Sequence, residues 1–285
     1  MSVTLIDGVA AIAPRYDGFI LDVWGVLHDG VAPYPGVTDA LGHLIAAGKR
    51  VALLSNAPMR AATVARRVEA IGVPRALFHE IMTSGEEVWQ NLRHRTDPFF
   101  AGLGRDCLYF GPPRHRGMLE GLDLVEAASA AEASFILNTG PDDLDDAATL
   151  YRLALEDAAG RGLKMVCANA DLHVMHGDRL IACAGIMAKR YEEMGGFVSW
   201  HGKPYPSVYH ACRRLLGIEA PERILCVGDS LRTDIAGAVG VGLDSLLVAG
   251  GIHAGEFGPP LDAALLQDRL GDRPAPRWAI ERLVW

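Results

Sequence analysis

Short apolar runs alternate with amphipathic stretches along almost the whole chain. The runs at 18–23, 50–54, 107–110, 134–137, 164–167, 223–227 and 245–248 have the length and composition of buried strands. Between them, apolar residues recur at helical spacing over 37–47, 60–71, 145–159, 207–216 and 234–239. Strand–helix–strand repetition predicts an α/β fold, with parallel sheets covered by helices on both faces. Several strands end in polar or glycine-rich tips: Asp22, Ser55-Asn56, Asn138-Thr139-Gly140, Asn169-Ala170-Asp171 and Gly228-Asp229-Ser230. In a doubly wound sheet such tips converge on the ligand crevice. The stretch 254–277 is rich in Gly, Pro and Asp and reads as loops around one short helix, 261–270.

The 285 residues suffice for one large domain or two medium ones, and 50% hydrophobic content supplies a substantial core. The formal net charge of −8 argues against a nucleic-acid or anionic-membrane partner, since both favour a basic patch. No apolar run reaches the length of a membrane helix, and no signal peptide is apparent. Five scattered cysteines without a C-x-x-C pair read as buried thiols in a reducing compartment. A cytoplasmic protein is expected.

Four tips, far apart in sequence, make one coherent phosphate site. Asp22 ends a buried strand as a rigid carboxylate suited to attack phosphorus. Ser55 and the backbone N–H groups around Asn56 open a helix and suit phosphate oxygens. Lys203, set between Gly202 and Pro204, can neutralise phosphate and transition-state charge. Asp229 and Asp234 lie five residues apart at a strand-to-helix turn. Hard oxygen ligands around a phosphate call for Mg²⁺.

In this order, Asp, Ser-Asn, Gly-Lys-Pro and Gly-Asp-x-x-x-Thr-Asp resemble the motifs of the haloacid dehalogenase superfamily. More narrowly, the chain is similar to its class IIA, p-nitrophenylphosphatase-like hydrolases, from about Gly18 to about Gly251. The resemblance implies a Rossmann-like core over 1–83 and 185–285, with an inserted α/β (C2-type) cap over 84–184. It implies that Asp22 forms an aspartyl-phosphate, and that Asp22, the Trp24 carbonyl and Asp229 hold Mg²⁺. Asp234 would orient Lys203 or a metal-bound water, while Ser55, Asn56 and Lys203 bind phosphate. It further implies a small phosphorylated substrate and a homodimer formed through the cap.

Trp24 departs from the family pattern, which places there the aspartate that protonates the leaving group and later activates water. Indole donates a hydrogen bond but does not titrate usefully. General acid–base catalysis is worth typically 10²–10⁴-fold, so a phosphatase of low intrinsic activity is expected. His28 and Asp29 are the nearest substitutes; the competing expectation is that both are solvent-facing loop residues. Trp24 also motivates a second class of function, a phosphate-ligand binding or regulatory protein without turnover. A third, carbon–halogen hydrolysis, shares an aromatic residue at this position but needs no metal, against which Asp229 and Asp234 stand. His173 and His176 have metal-ligand spacing but no third ligand, and read as a substrate-facing or merely exposed loop.

Overall fold

The computed structural model of the chain describes residues 3–141, 151–176, 179–251, 255 and 261–285. In chain order the strands begin with β1 (Thr4–Leu5), β2 (Gly18–Asp22), β3 (Arg50–Ser55), β4 (Glu80–Thr83) and β5 (Asp106–Phe110). They continue with β6 (Val125–Glu126), β7 (Phe135–Asn138), β8 (Lys164–Cys167), β9 (His173–His176) and β10 (Arg179–Ala182). The last are β11 (Phe197–Trp200), β12 (Ile224–Gly228), β13 (Asp244–Val248) and β14 (Trp278–Ile280). The helices are α1 (Val37–Ala46), α2 (Ala61–Ile71), α3 (Ser84–His94), α4 (Pro98–Ala101) and α5 (Arg152–Gly160). They are followed by α6 (Ala184–Glu193), α7 (Pro206–Leu216), α8 (Ala236–Gly240) and α9 (Ala263–Leu270).

The chain divides into two compact units. The first comprises Met1–Ser55, Ala65–Met82 and Lys203–Trp285, and the second Asn56–Val64 and Thr83–Gly202. In the first, seven strands run in the order β1-β14-β13-β12-β2-β3-β4. All five residues of β2 are buried, as a central strand covered on both faces requires. The chain leaves β2 towards β3 on one side, and β12 pairs with the other side. The strand order therefore reverses at β2/β12, the place where doubly wound sheets bind ligands. Helix α7 starts with Pro206 in its first turn and ends at Gly217 in the left-handed region, so both ends carry their preferred residues. Its apolar face, Val208, Tyr209, Ala211, Cys212 and Leu216, packs with Ile20, Leu54 and Cys226 of the sheet.

The second unit has its own parallel sheet, ordered β11-β8-β7-β5-β6, and an antiparallel pair, β9–β10. Alternation along β7 divides its core in two. Phe135 and Leu137 pack with Val88, Leu92 and Phe100, whereas Ile136 packs with Met165, Met187 and Tyr191 on the opposite face. Residues 185–202 belong here rather than to the first unit. Strand β11 pairs with β8, α6 covers that sheet, and the Tyr191 hydroxyl donates to the Leu163 carbonyl at 2.7 Å. The second unit thus ends at Gly202, later than the boundary at 184/185 that the sequence suggested, and it also takes in 56–64.

The seven apolar runs all appear as strands, shifted by at most a residue or so. Helix α5 matches the later part of the pattern at 145–159, whose residues 145–150 lie outside those described. Among the described residues no helix is long and apolar enough to cross a membrane. All five cysteines are buried thiols. Burial pushes Cys107, Cys167, Cys183 and Cys212 up to about 12. A thiol that resists ionisation is a poor nucleophile. Native protein should therefore react with less than one equivalent of a thiol-specific disulfide reagent over minutes, and with all five equivalents in denaturant.

Candidate active site

Register builds the site. Val227 pairs with Leu21 and Leu54 with Asp22, so the β2, β3 and β12 tips are neighbours along one sheet edge. Ser55 lies one residue beyond the partner of Asp22, and Asp229 one residue beyond the end of β12. The turn after β12 brings Asp234 back to the strand end. A Cβ on Gly228 would lie 2.1 Å from the Asp234 Cβ, so only glycine admits this approach. Ser230 caps the turn by accepting from the Thr233 N–H at 3.3 Å, and the Tyr209 hydroxyl donates to the Thr233 and Asp234 carbonyls.

The Lys203 ammonium sits between two carboxylates, 2.6 Å from Asp22 Oδ1 and 2.8 Å from Asp234 Oδ1. Its residue exposure is 3%, and that of Asp22 is 9%. Asp234 Oδ2 accepts from the Ser230 N–H at 3.3 Å and the Thr233 hydroxyl at 3.4 Å, and Asp22 Oδ1 from the Val23 N–H at 2.7 Å. One oxygen from each of Asp22, Asp229 and Asp234 lies within 4.8 Å of the others. A Cβ on Gly251 would come 2.7 Å from Asp229 Oδ2, so the chain closes tightly on that carboxylate as well.

Charge sets the chemistry of the cluster. Burial alone would lower the Lys203 pKa, but Asp22 and Asp234 outweigh it and hold the amine protonated. Burial and repulsion from Asp234 and Asp229 push the Asp22 carboxyl well above the usual range, with Lys203 pulling against them. Three carboxylates face one ammonium. A small divalent cation with hard oxygen ligands would relieve the excess, so the donor set fits Mg²⁺. Asp22, Asp229 and the Trp24 carbonyl remain the expected ligands, and Asp234 is engaged with Lys203.

Two site expectations need qualification. Asn56 falls in the second unit, where its Nδ2 donates to Asp171 Oδ1 at 3.0 Å. His28 is not solvent-facing. It is 3% exposed, its Nδ1 accepts from the Gly30 N–H at 2.9 Å, and burial lowers its pKa. It is thus a neutral residue that braces its own turn. Asp29 is exposed, but its Oδ1 accepts from the Val31 and Ala32 N–H groups, which lower its pKa. A carboxylate held ionised in this way is a poor general acid. His173 and His176 lie not in a loop but at the two ends of β9, paired antiparallel with β10; His173 is exposed, and the side chain of His176 lies outside the described residues. Among the described residues the aspartate trio is the one group of three or more that could hold a metal.

The Trp24 indole packs edge-on to His28, with ring centroids 5.4 Å apart. It also lies against Gly30, where an added Cβ would come 2.4 Å from the ring and where φ is +96°. No sequence signal links Trp24 to Gly30, because the loop fold alone brings them together. Gly30→Ala should cost about 1–3 kcal/mol from overpacking and backbone strain. In chemical denaturation, Gly30→Ala should cost less when introduced into Trp24→Ala than when introduced into the wild type. An undiminished loss there would mean that strain alone is responsible.

A family model described as haloacid dehalogenase-like hydrolase matches residues 19–125, and a second, HAD-hydrolase-like, matches 200–269. The ribonucleotide monophosphatase NagD of Escherichia coli K12 is 26% identical over 240 residues, covering 82% of this chain and 88% of that protein. A haloacid dehalogenase-like hydrolase from Brucella suis 1330 superposes with a TM-score of 0.82 at 30% identity, over 98% of this chain and 100% of that one. The 4-nitrophenylphosphatase of Thermotoga maritima, at 22% identity and 95% coverage of each chain, shares the fold with a TM-score of 0.74. Matched by family models towards both ends, and over nearly its full length by the Brucella hydrolase, the chain belongs to the haloacid dehalogenase-like hydrolases, in their class IIA phosphatase group.

Proposed function

We propose that this chain is a Mg²⁺-dependent phosphomonoesterase for a small phosphorylated metabolite, working through Asp22 and limited by proton transfer. The observation that carries this is the Lys203 ammonium clamped between Asp22 and Asp234, with the Asp229 carboxylate beside them. Asp22 Oδ attacks phosphorus, the bond to the ester oxygen breaks, and an aspartyl-phosphate results. Lys203 balances charge on the phosphoryl oxygens, and the Ser55 hydroxyl contributes a further donor. When bound by Asp22, Asp229 and the Trp24 carbonyl, Mg²⁺ supplies charge neutralisation and polarises the phosphoryl group. Asp234 holds the Lys203 amine in place. Water then attacks phosphorus, releases phosphate and restores Asp22.

Position 24 provides neither an acid for the leaving alkoxide nor a base for that water. Aryl phosphates, whose phenolates leave unprotonated, should therefore turn over far better than alkyl phosphates. The test is p-nitrophenyl phosphate hydrolysis with Mg²⁺. Chelation should abolish it, and Asp22→Asn should lower it at least a thousandfold. Equal rates in the two proteins would sink the proposal.

The packed indole at position 24 also favours a second function, a phosphate-binding protein without turnover. Calorimetry that detects Mg²⁺-dependent phosphate binding, with no hydrolysis of any ester in a phosphometabolite panel, would select it.

A further inference from the structure

We propose that Ser199, His201 and Glu87 form a second nucleophilic site, which attacks activated aryl esters. All three belong to the second unit, and the proposal does not depend on the phosphatase chemistry of Asp22. The Ser199 hydroxyl lies 3.0 Å from His201 Nε2, and His201 Nδ1 lies 2.8 Å from Glu87 Oε2. Nucleophile, base and orienting acid thus stand in hydrogen-bonded series, the geometry that defines a triad wherever it occurs.

Local structure explains why these residues meet. Ser199 and His201 are two apart on an extended segment, so both side chains leave the same face. Glu87 comes from the first turn of α3, where a negative charge is favoured by the helix dipole. The Thr83 hydroxyl caps that helix by accepting from the Glu86 N–H at 2.8 Å. The second oxygen of Glu87 accepts from Asn91 Nδ2 at 3.2 Å, which fixes the carboxylate plane.

The tautomer follows from hydrogen-bonding capacity. A carboxylate only accepts, so Nδ1 carries the proton facing Glu87. In the neutral ring the lone pair is then on Nε2, directed at the Ser199 hydroxyl. That is the tautomer a general base needs.

Exposure is graded in the order such chemistry requires. Glu87 and His201 are buried, at 6% each, whereas Ser199 is partly exposed. The Phe100 ring lies 5.4 Å from the imidazole. Phe197, on the same strand face as Ser199, is 57% exposed and lies 5.8 Å from Phe99. These rings offer an apolar wall for an aromatic leaving or acyl group.

In the reaction, Ser199 Oγ bonds to the ester carbonyl carbon while its proton passes to His201 Nε2. The phenolate leaves and takes up that proton, and water hydrolyses the acyl-serine to a carboxylic acid. Glu87 stabilises the imidazolium that forms in between.

The test uses the full chain and a fluorophosphonate probe, on which Ser199 Oγ displaces fluoride, with the proton going to His201. Peptide mass spectrometry should place the adduct on Ser199, and Ser199→Ala should abolish it. p-Nitrophenyl acetate hydrolysis should fall at least tenfold in Ser199→Ala and in Glu87→Gln. His201→Asn should block labelling. If its buried position prevents folding, the adduct map of the unaltered protein and the partly exposed Ser199→Ala variant decide. No adduct on Ser199, adducts confined to other residues, or equal ester hydrolysis in Ser199→Ala would overturn the proposal.

Discussion

Trp24→Asp is expected to raise kcat for an alkyl phosphate monoester by about a hundredfold, while p-nitrophenyl phosphate gains much less in its first half-reaction. The introduced carboxyl can protonate the departing alkoxide and then take a proton from the attacking water. Such transfer is worth about 10²–10⁴-fold. The lower end is expected because the loop around position 24 is built to pack an indole. The ring now rests on His28 and against Gly30, and removing it leaves that turn with less support, at a cost of about 1–3 kcal/mol. Rates over alkyl and aryl leaving groups would check this. The wild type should fall steeply as the leaving group becomes more basic, and the variant should respond weakly. A loss of activity towards both classes would assign the indole a role of its own in holding substrate.

The second large effect is expected at Lys203. Lys203→Met keeps most of the side-chain length and removes the charge between Asp22 and Asp234. Removing one partner of a buried ion pair costs about 3–5 kcal/mol, because the remaining charge has no compensation. Turnover should fall at least a hundredfold, the scale seen when one transition-state donor is lost. Stability carries a sign that can be checked. Burial and the neighbouring carboxylates already hold the folded Asp22 pKa above its ordinary value, with Lys203 opposing them. Without Lys203 the folded state binds the Asp22 proton more tightly than the unfolded state does. Stability then falls as pH rises between the unfolded and folded pKa values. Metal-free Lys203→Met should therefore recover stability on acidification from neutral pH towards 5, and Mg²⁺ should raise its melting temperature more than that of wild type. A variant as stable as wild type in chelator at neutral pH would mean that the ammonium is not the group holding these carboxylates.

Four adjacent strands of the first unit's sheet, β13, β12, β2 and β3, were legible because they are continuous apolar runs, the last three ending in chemically distinct tips, whereas β1, β4 and β14 at its two sides were not. Asp22, Lys203, Asp229 and Asp234 could be picked out for the same reason. Each sits at a punctuated position, a strand end or a Gly-Lys-Pro turn, and folding brings all four together. Helix α3 was not legible, since Ser-Gly-Glu-Glu-Val-Trp-Gln-Asn-Leu-Arg-His presents few apolar residues to reveal a helical period. Its existence depends on the Thr83 cap and on Val88 and Leu92 reaching the second core. The short strands β11 and β14 are similarly invisible, because Phe-Val-Ser-Trp is broken by a serine and Trp-Ala-Ile is only three residues, so neither stands out as an apolar run. The unit boundary shifted for that reason, as β11 and α6 complete a sheet whose last strand had no signal. His28 shows another limit. Its burial comes from the fold of a turn, which local sequence does not encode as a hydrophobic pattern.

The indole at position 24 makes the Asp22 claim directly measurable. An aryl phosphate needs no acid to form the aspartyl-phosphate, but its hydrolysis lacks the base that would activate water. The intermediate should therefore accumulate. Rapid mixing of p-nitrophenyl phosphate and Mg²⁺ with the enzyme should release a burst of about one p-nitrophenolate per chain, followed by a slow steady state. Acid quench and borohydride reduction should then convert Asp22, and no other aspartate, to homoserine, detected by peptide mass spectrometry. Steady turnover without a burst and with Asp22 unmodified would contradict the account.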